Sequence, residues 1–148
     1  TGSSHNDEGH ITKDPEIIAN LNERLIQKIE SNLDELSLVK TDLEQEADTL
    51  ILSYGISARS MEAAVKQLRD TGDKVSSMTI YSLWPVPEKI IQESLLGVKR
   101  IIIPEMNHGQ YRHEIERLVN RDIEIIGVNR VDTILITPEE IIGAYHGK

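Results

Sequence analysis

Apolar residues along this chain recur with two periods. Ile17, Ile18, Leu21, Leu25, Ile26, Ile29 and Leu33 fall at helical spacing, while Asn20, Glu23, Arg24, Gln27 and Glu30 occupy the opposite side. The pattern predicts one amphipathic helix of about five turns. Asp14 is placed to cap it, Pro15 suits its first position and Glu16 favours its positive dipole end. A helix with one apolar stripe should lie on a larger body or link two bodies. The stretch before it, Thr1 to Lys13, is polar without periodicity and reads as an extended or mobile leader.

From Glu35 onward short apolar runs alternate with amphipathic segments. Leu36–Thr41 reads as an edge strand, Leu43–Ala47 as an acidic connection, and Thr49–Tyr54 as a buried strand ended by Gly55. Ser57 is expected to cap a helix whose Met61, Ala64, Val65 and Leu68 face the sheet and which Gly72 terminates. A strand over Lys74–Tyr81 is broken by Trp84-Pro85-Val86-Pro87; a helix over Glu88–Leu96 stops at Gly97. Arg100–Ile103 is a third buried strand, Gln110–Asn120 a third helix and Ile123–Val128 a fourth strand. Strands alternating with helices through short turns imply crossovers and a largely parallel sheet covered on both faces.

Composition narrows the chemistry. The 148 residues suit one core, which must be aliphatic because Phe is absent and Trp occurs once. With 25 acids against 16 bases, the net charge of −9 argues against a nucleic-acid partner. No apolar run approaches the ~20 residues of a membrane span, so a cytoplasmic protein is expected. Zero cysteines removes any disulfide and every thiolate ligand for an iron–sulfur cluster or zinc ribbon. The chain opens on Thr1 rather than Met, which suggests a segment of something longer.

Candidate chemistry gathers at two turns. Tyr54, Gly55, Ser57 and Arg59 run from a strand into a helix, where free amides and the Arg59 guanidinium would suit an anion. The bland alternative is that Gly55 and Ser57 serve only the turn and the cap, since no dinucleotide or P-loop spacing accompanies them. At the second turn Glu105, Asn107, Gly109 and Gln110 follow a strand's carboxyl end, where parallel sheets place ligand crevices. Either Asn107 caps the next helix, Gly109 permits close approach and Glu105 pairs with a base such as Arg112, or Glu105 and Gln110 face a ligand or partner domain. His5, Asp7, Glu8 and His10 lack a fixed geometry, and His108 and His113 lack i, i+4 spacing, so no metal site is assigned. No acid, base or nucleophile set is recognisable, and no catalytic residue is assigned.

Leu-Ser-Tyr-Gly-Ile-Ser-Ala-Arg at 52–59, Leu-Trp-Pro-Val-Pro-Glu at 83–88 and Pro-Glu-Met-Asn-His-Gly-Gln-Tyr at 104–111 together resemble the C-terminal domain of the alpha subunit of 2-oxoacid:ferredoxin oxidoreductases. The segment from Thr1 to Thr12, with Asp14-Pro15-Glu16, is similar to the family's connection from a preceding domain. The resemblance implies a three-layer α/β/α fold like the transketolase C-terminal domain, with a five-stranded, mostly parallel sheet and one antiparallel edge strand. Residues 1–35 would be the leader and linker helix, and 36–148 the domain. The implied enzyme converts a 2-oxoacid to an acyl-coenzyme A with thiamine diphosphate, magnesium and iron–sulfur clusters, passing electrons to ferredoxin. The family's Tyr-Pro-Ile-Thr-Pro-type segment is missing, and Gly72-Asp73-Lys74 is not its Gly-Asp-Gly signature. The resemblance therefore implies that this chain binds none of these cofactors. They would fall to the N-terminal domain of the same subunit and to a thiamine-binding beta subunit, leaving this chain a noncatalytic packing and active-site-shaping domain. A free-standing module that holds an anion at Ser57 to Arg59 and Asn107 to Gln110 is the alternative.

Overall fold

The computed structural model describes residues 4–147, so the first three residues of the expected leader and Lys148 lie outside the described residues. The chain divides into two compact units, Thr1–Leu36 and Ser37–Lys148.

In the first unit the leader is not featureless. The Asn6 carboxamide oxygen accepts from the amides of Glu8 (3.1 Å) and His10 (2.9 Å), and His5 bridges antiparallel to Ile11. Helix α1 (Pro15–Glu30) opens as the sequence predicts, with Asp14 Oδ1 accepting from the amides of Glu16 (2.9 Å) and Ile17 (3.3 Å). It ends before Leu33. Asn32 turns back so that its side chain donates to the Lys28 carbonyl at 2.7 Å, and α2 (Leu33–Leu36) is a separate turn. None of the α1 residues is buried.

The second unit holds β1 (Val39–Asp42), β2 (Thr49–Tyr54), α3 (Ser57–Asp70), β3 (Ser76–Ile80), α4 (Glu88–Ser94), β4 (Arg100–Glu105), α5 (Gln110–Glu116), β5 (Glu124–Asn129) and α6 (Pro138–Tyr145). The sheet order is β1-β3-β2-β4-β5, with β1 antiparallel to β3 and the other pairs parallel. The expected edge strand thus begins later than Leu36, where pairing with β3 starts at Val39↔Ile80.

Alternate residues of the buried strands feed opposite faces. Leu50, Leu52, Ile101 and Ile103 pack with Ile91 of α4 and Ile115 of α5; Ile51 and Ile102 pack with Met61, Ala64, Val65 and Leu68 of α3 and Ile141 of α6. Two helices on each face make three layers. Helix α6 is an element beyond those the periodicity predicts; Thr137 caps it in a reciprocal box with Glu140, and Pro138 occupies its first turn. The charged edge is clamped by Arg69, whose guanidinium donates to Asp42 Oδ2 (2.8 Å) and to the Val75 carbonyl (2.8 Å).

Candidate functional site

The path of the chain locates the switch point. From β2 it moves outward to β3, then returns past β2 to β4 and β5, so the direction reverses between β2 and β4. Both candidate turns lie at that reversal, one after each strand. The two strands also part there. β2 pairs with β3 as far as Tyr54↔Ile80, and β4 with β5 as far as Glu105↔Asn129, but β2 and β4 stop pairing at Ile51↔Ile102. Pro104 has no N–H to extend that ladder, and the Ser53 hydroxyl donates to its carbonyl at 2.8 Å instead.

Side chains fill the resulting gap. Glu105 is 1% exposed, and its Oε2 accepts from the Tyr54 hydroxyl (2.9 Å) and the Tyr111 amide (3.1 Å) while Oε1 accepts from the Arg112 amide (3.2 Å). Asn107 donates from Nδ2 to the Tyr54 oxygen (2.7 Å) and accepts at Oδ1 from the amides of Gly109 (2.8 Å) and Gln110 (2.9 Å). Four amides at the entry to α5 are thereby satisfied by two side chains from the strand end. Gly109 reaches the N-cap at φ 90°, a left-handed conformation that favours glycine. Asn129 closes the set from β5, donating to the Asn107 carbonyl at 3.0 Å.

Two expectations are corrected here. Glu105 neither pairs with the Arg112 guanidinium nor points outward to a partner domain, because a buried carboxylate is best stabilised by converging internal donors. The Arg112 side chain instead lies 3.2 Å from Glu116 and over Gly127, where a Cβ would come within 2.9 Å of its terminal nitrogen. Nor does Ser57 cap α3. Gly55, at φ 57°, turns the chain so that Ile56 is the N-cap and makes no side-chain bond, while Ser57 is the first helical residue and is buried.

Tyr54 and Tyr111 meet edge to face with ring centroids 5.3 Å apart. Burial, then the adjoining Glu105, pushes the Tyr54 hydroxyl up to about 12. Burial chiefly raises Tyr111 likewise to about 12; its hydroxyl is buried without a hydrogen-bond partner among the described residues. Both rings hold their protons more tightly than in water. No local signal marks Tyr111 or Asn129: Tyr111 meets Tyr54 through the packing of α5, and Asn129 reaches the Asn107 carbonyl through the β4–β5 register. Arg59 and Gln110 remain exposed, and among the described residues Arg59 makes no ion pair.

The residues do not suit the cofactors that the sequence resemblance implies. No cysteine exists to hold a cluster, and among the described residues no three His, Asp or Glu side chains converge as metal ligands. Asp73, in the nearest counterpart of the diphosphate-metal signature, accepts the Thr71 hydroxyl at 3.1 Å in the α3–β3 turn, at the opposite end of the sheet. No described helix is long and apolar enough to cross a membrane.

Known proteins resemble this chain in sequence and fold. The chain is 32% identical over 148 residues to 2-oxoglutarate synthase subunit KorA of Methanocaldococcus jannaschii, covering 99% of this chain and 39% of that subunit. A structure of the 2-oxoglutarate:ferredoxin oxidoreductase of Magnetococcus marinus, with 2-oxoglutarate, coenzyme A and succinyl-CoA bound, superposes with a TM-score of 0.82 at 27% identity, over 99% of this chain and 26% of that one. Transketolase from Campylobacter jejuni shares the fold, with a TM-score of 0.55 at 15% identity over 74% of this chain and 18% of its own. The chain thus spans well under half the length of the relatives it matches. The sequence profile of pyruvate:ferredoxin oxidoreductase core domain II matches residues 47–141, and the chain belongs to that family.

Proposed function

We propose that this chain is the noncatalytic C-terminal domain of the alpha subunit of a thiamine-diphosphate-dependent 2-oxoacid:ferredoxin oxidoreductase, which oxidatively decarboxylates a 2-oxoacid to an acyl-coenzyme A. Residues 1–35 form its connection to a preceding domain and 36–148 the domain proper. Thiamine diphosphate, magnesium and the iron–sulfur clusters are held by that preceding domain and a beta subunit; ferredoxin and coenzyme A are met by the assembled enzyme.

The observation that carries this reading is the use of Glu105. A general acid or a metal ligand must offer an oxygen to the reacting group. Glu105 is 1% exposed, and both its oxygens accept hydrogen bonds from donors of the domain itself. The switch-point crevice is therefore braced from within, and β2, β4 and α5 are locked together at the end of the sheet. Such a unit contributes by holding other groups in line, since positioning supplies several kcal/mol of a reaction barrier without bond chemistry.

The test is reconstitution. Residues 1–148 alone should show no 2-oxoacid-dependent reduction of ferredoxin, and the complete alpha subunit with its beta subunit should restore it. Calorimetric binding of thiamine diphosphate to residues 1–148, or a natural polypeptide whose mass equals this chain's, would overturn the proposal.

A further inference from the structure

The large exposed hydrophobics of the second unit are sorted by end of the sheet. Among the described residues after Ser37, Leu43 and Leu96 are the exceptions; the others sit where the parallel strands finish. Tyr81 (63% exposed) and Trp84 (73%) follow β3, Ile56 follows β2, and Ile134 and Leu135 follow β5. Charged residues of both signs mark the opposite end, with Asp42 closing β1, Asp48 before β2, Asp73 and Lys74 before β3, Lys99 and Arg100 at the start of β4 and Glu124 opening β5. An apolar surface gathered on one end of a domain marks an interaction site.

We infer that this end of the sheet is the docking face for a neighbouring domain of the same, longer polypeptide; the inference rests on the function proposed above. Relatives carry this fold inside much longer chains, of which it makes up 39% in the KorA subunit and 26% in the Magnetococcus marinus structure. The polypeptide also enters the sheet at this end. Leu38 accepts the Tyr81 amide at 2.9 Å and its own amide donates to the Ser82 hydroxyl at 3.2 Å, so the lead into β1 is bound to the turn after β3. A domain joined to residue 37 through the preceding segment meets this face as an intramolecular partner, at an effective concentration set by the length and stiffness of that connection.

Charge narrows the occupant further. Glu88 is paired with Arg117, and Asp132 and Glu140 with Arg130, whereas Arg59 in the first turn of α3 is exposed and makes no ion pair among the described residues. The complementary surface is apolar with a carboxylate set opposite Arg59. Behind the face, the Tyr54–Glu105–Asn107 network fixes the strand ends, so little ordering is lost on docking.

Hydroxyl-radical footprinting of the natural alpha subunit, with and without its beta subunit, tests the inference against residues 1–148 alone. Tyr81, Trp84 and Leu135 should be oxidised about tenfold more slowly in the alpha subunit than in residues 1–148, with no further change on adding beta, as expected for a buried aromatic anchor. Trp84→Lys in the alpha subunit should return Leu135 to its unprotected rate with the circular dichroism spectrum retained, and Trp84→Phe should keep the protection. Protection that arises only with beta assigns the face to the partner subunit and overturns the inference. So does protection of residues 1–148 that grows with their own concentration, or free labelling throughout. An active, longer alpha subunit with Trp84 freely labelled refutes the docking face alone; a natural chain of this length refutes the proposed function.

Discussion

Glu105 is where a single side chain decides most. Truncation in Glu105→Ala would leave the amides of Tyr111 and Arg112 and the Tyr54 hydroxyl without their acceptor in a site that water reaches poorly. Charge-assisted bonds of this kind are lost at a cost of about 3 kcal/mol or more. Urea unfolding should show the midpoint falling with an unchanged slope, and a loss below about 1 kcal/mol would mean the network is ornamental. Tyr54→Phe removes one donor and one acceptor and should cost about 1 kcal/mol. The two phenols add a pH signature. With folded values raised from 10.0 to about 12, Tyr54 and Tyr111 favour the protonated, folded state. Their contribution is fully present below pH 10 and is lost as pH rises through 12, because the folded chain then holds more protons than the unfolded one. Together they should remove roughly 2–4 kcal/mol across that window, less than the full shift because Tyr54 is partly solvated. Urea midpoints of the parent chain and Tyr54→Phe at pH 8 and pH 11.5 separate this from lysine titration: the variant should fall less.

Secondary structure elements were legible where a local pattern decided them. β2 runs from Thr49 to Tyr54 as predicted, since six residues of apolar and small polar character end at Gly55. The α3 face of Met61, Ala64, Val65 and Leu68 is buried as its spacing requires. Legibility failed where tertiary partners choose. β1 slides to Val39–Asp42 because its bounds follow pairing with β3, and α3 starts without the expected Ser57 cap because the Gly55 turn, not a serine hydroxyl, sets it. The site was half legible. The turn after β4 stood out by position, but Tyr54 and Glu105 lie 51 residues apart, and no local signal pairs them. Helix α6 differs, for its start carries a local signal, the Thr137-Pro138-Glu139-Glu140 capping box. Thr137→Ala removes the acceptor of the Glu140 amide and should cost about 1 kcal/mol. Because Ile141 and Ile136 anchor one face of the core, amide exchange over 138–145 should quicken more than exchange in β2. Uniform acceleration throughout would instead mean that α6 and the sheet open as one unit.

At the scale of the whole molecule, the two compact units differ in what they contain. Both apolar clusters, with the partly buried residues packed on them, draw among the described residues on the span from Val39 to Tyr145, within the second unit. Its helix has good local chemistry in the Asp14 cap and Pro15, yet no α1 residue is buried, and isolated helices of its length are marginal in water. Stability should therefore reside in residues 37–148, with the amphipathic helix contributing through what it joins. A chain beginning at Ser37 should unfold cooperatively, with a free energy within about 1 kcal/mol of the 148-residue chain, because deletions outside a core act as surface changes. Urea denaturation of the two chains, followed by circular dichroism, measures this directly. A drop beyond about 2 kcal/mol, or loss of a single transition, would show that the first unit is part of the folded core. In the alpha subunit proposed above, the same cut should separate folding from assembly. If the helix is a connector, joining residues 37–148 to the preceding domain through a flexible linker of equal length should preserve the domain's stability and lower the turnover of the complex, since only the geometry of the connection has been lost.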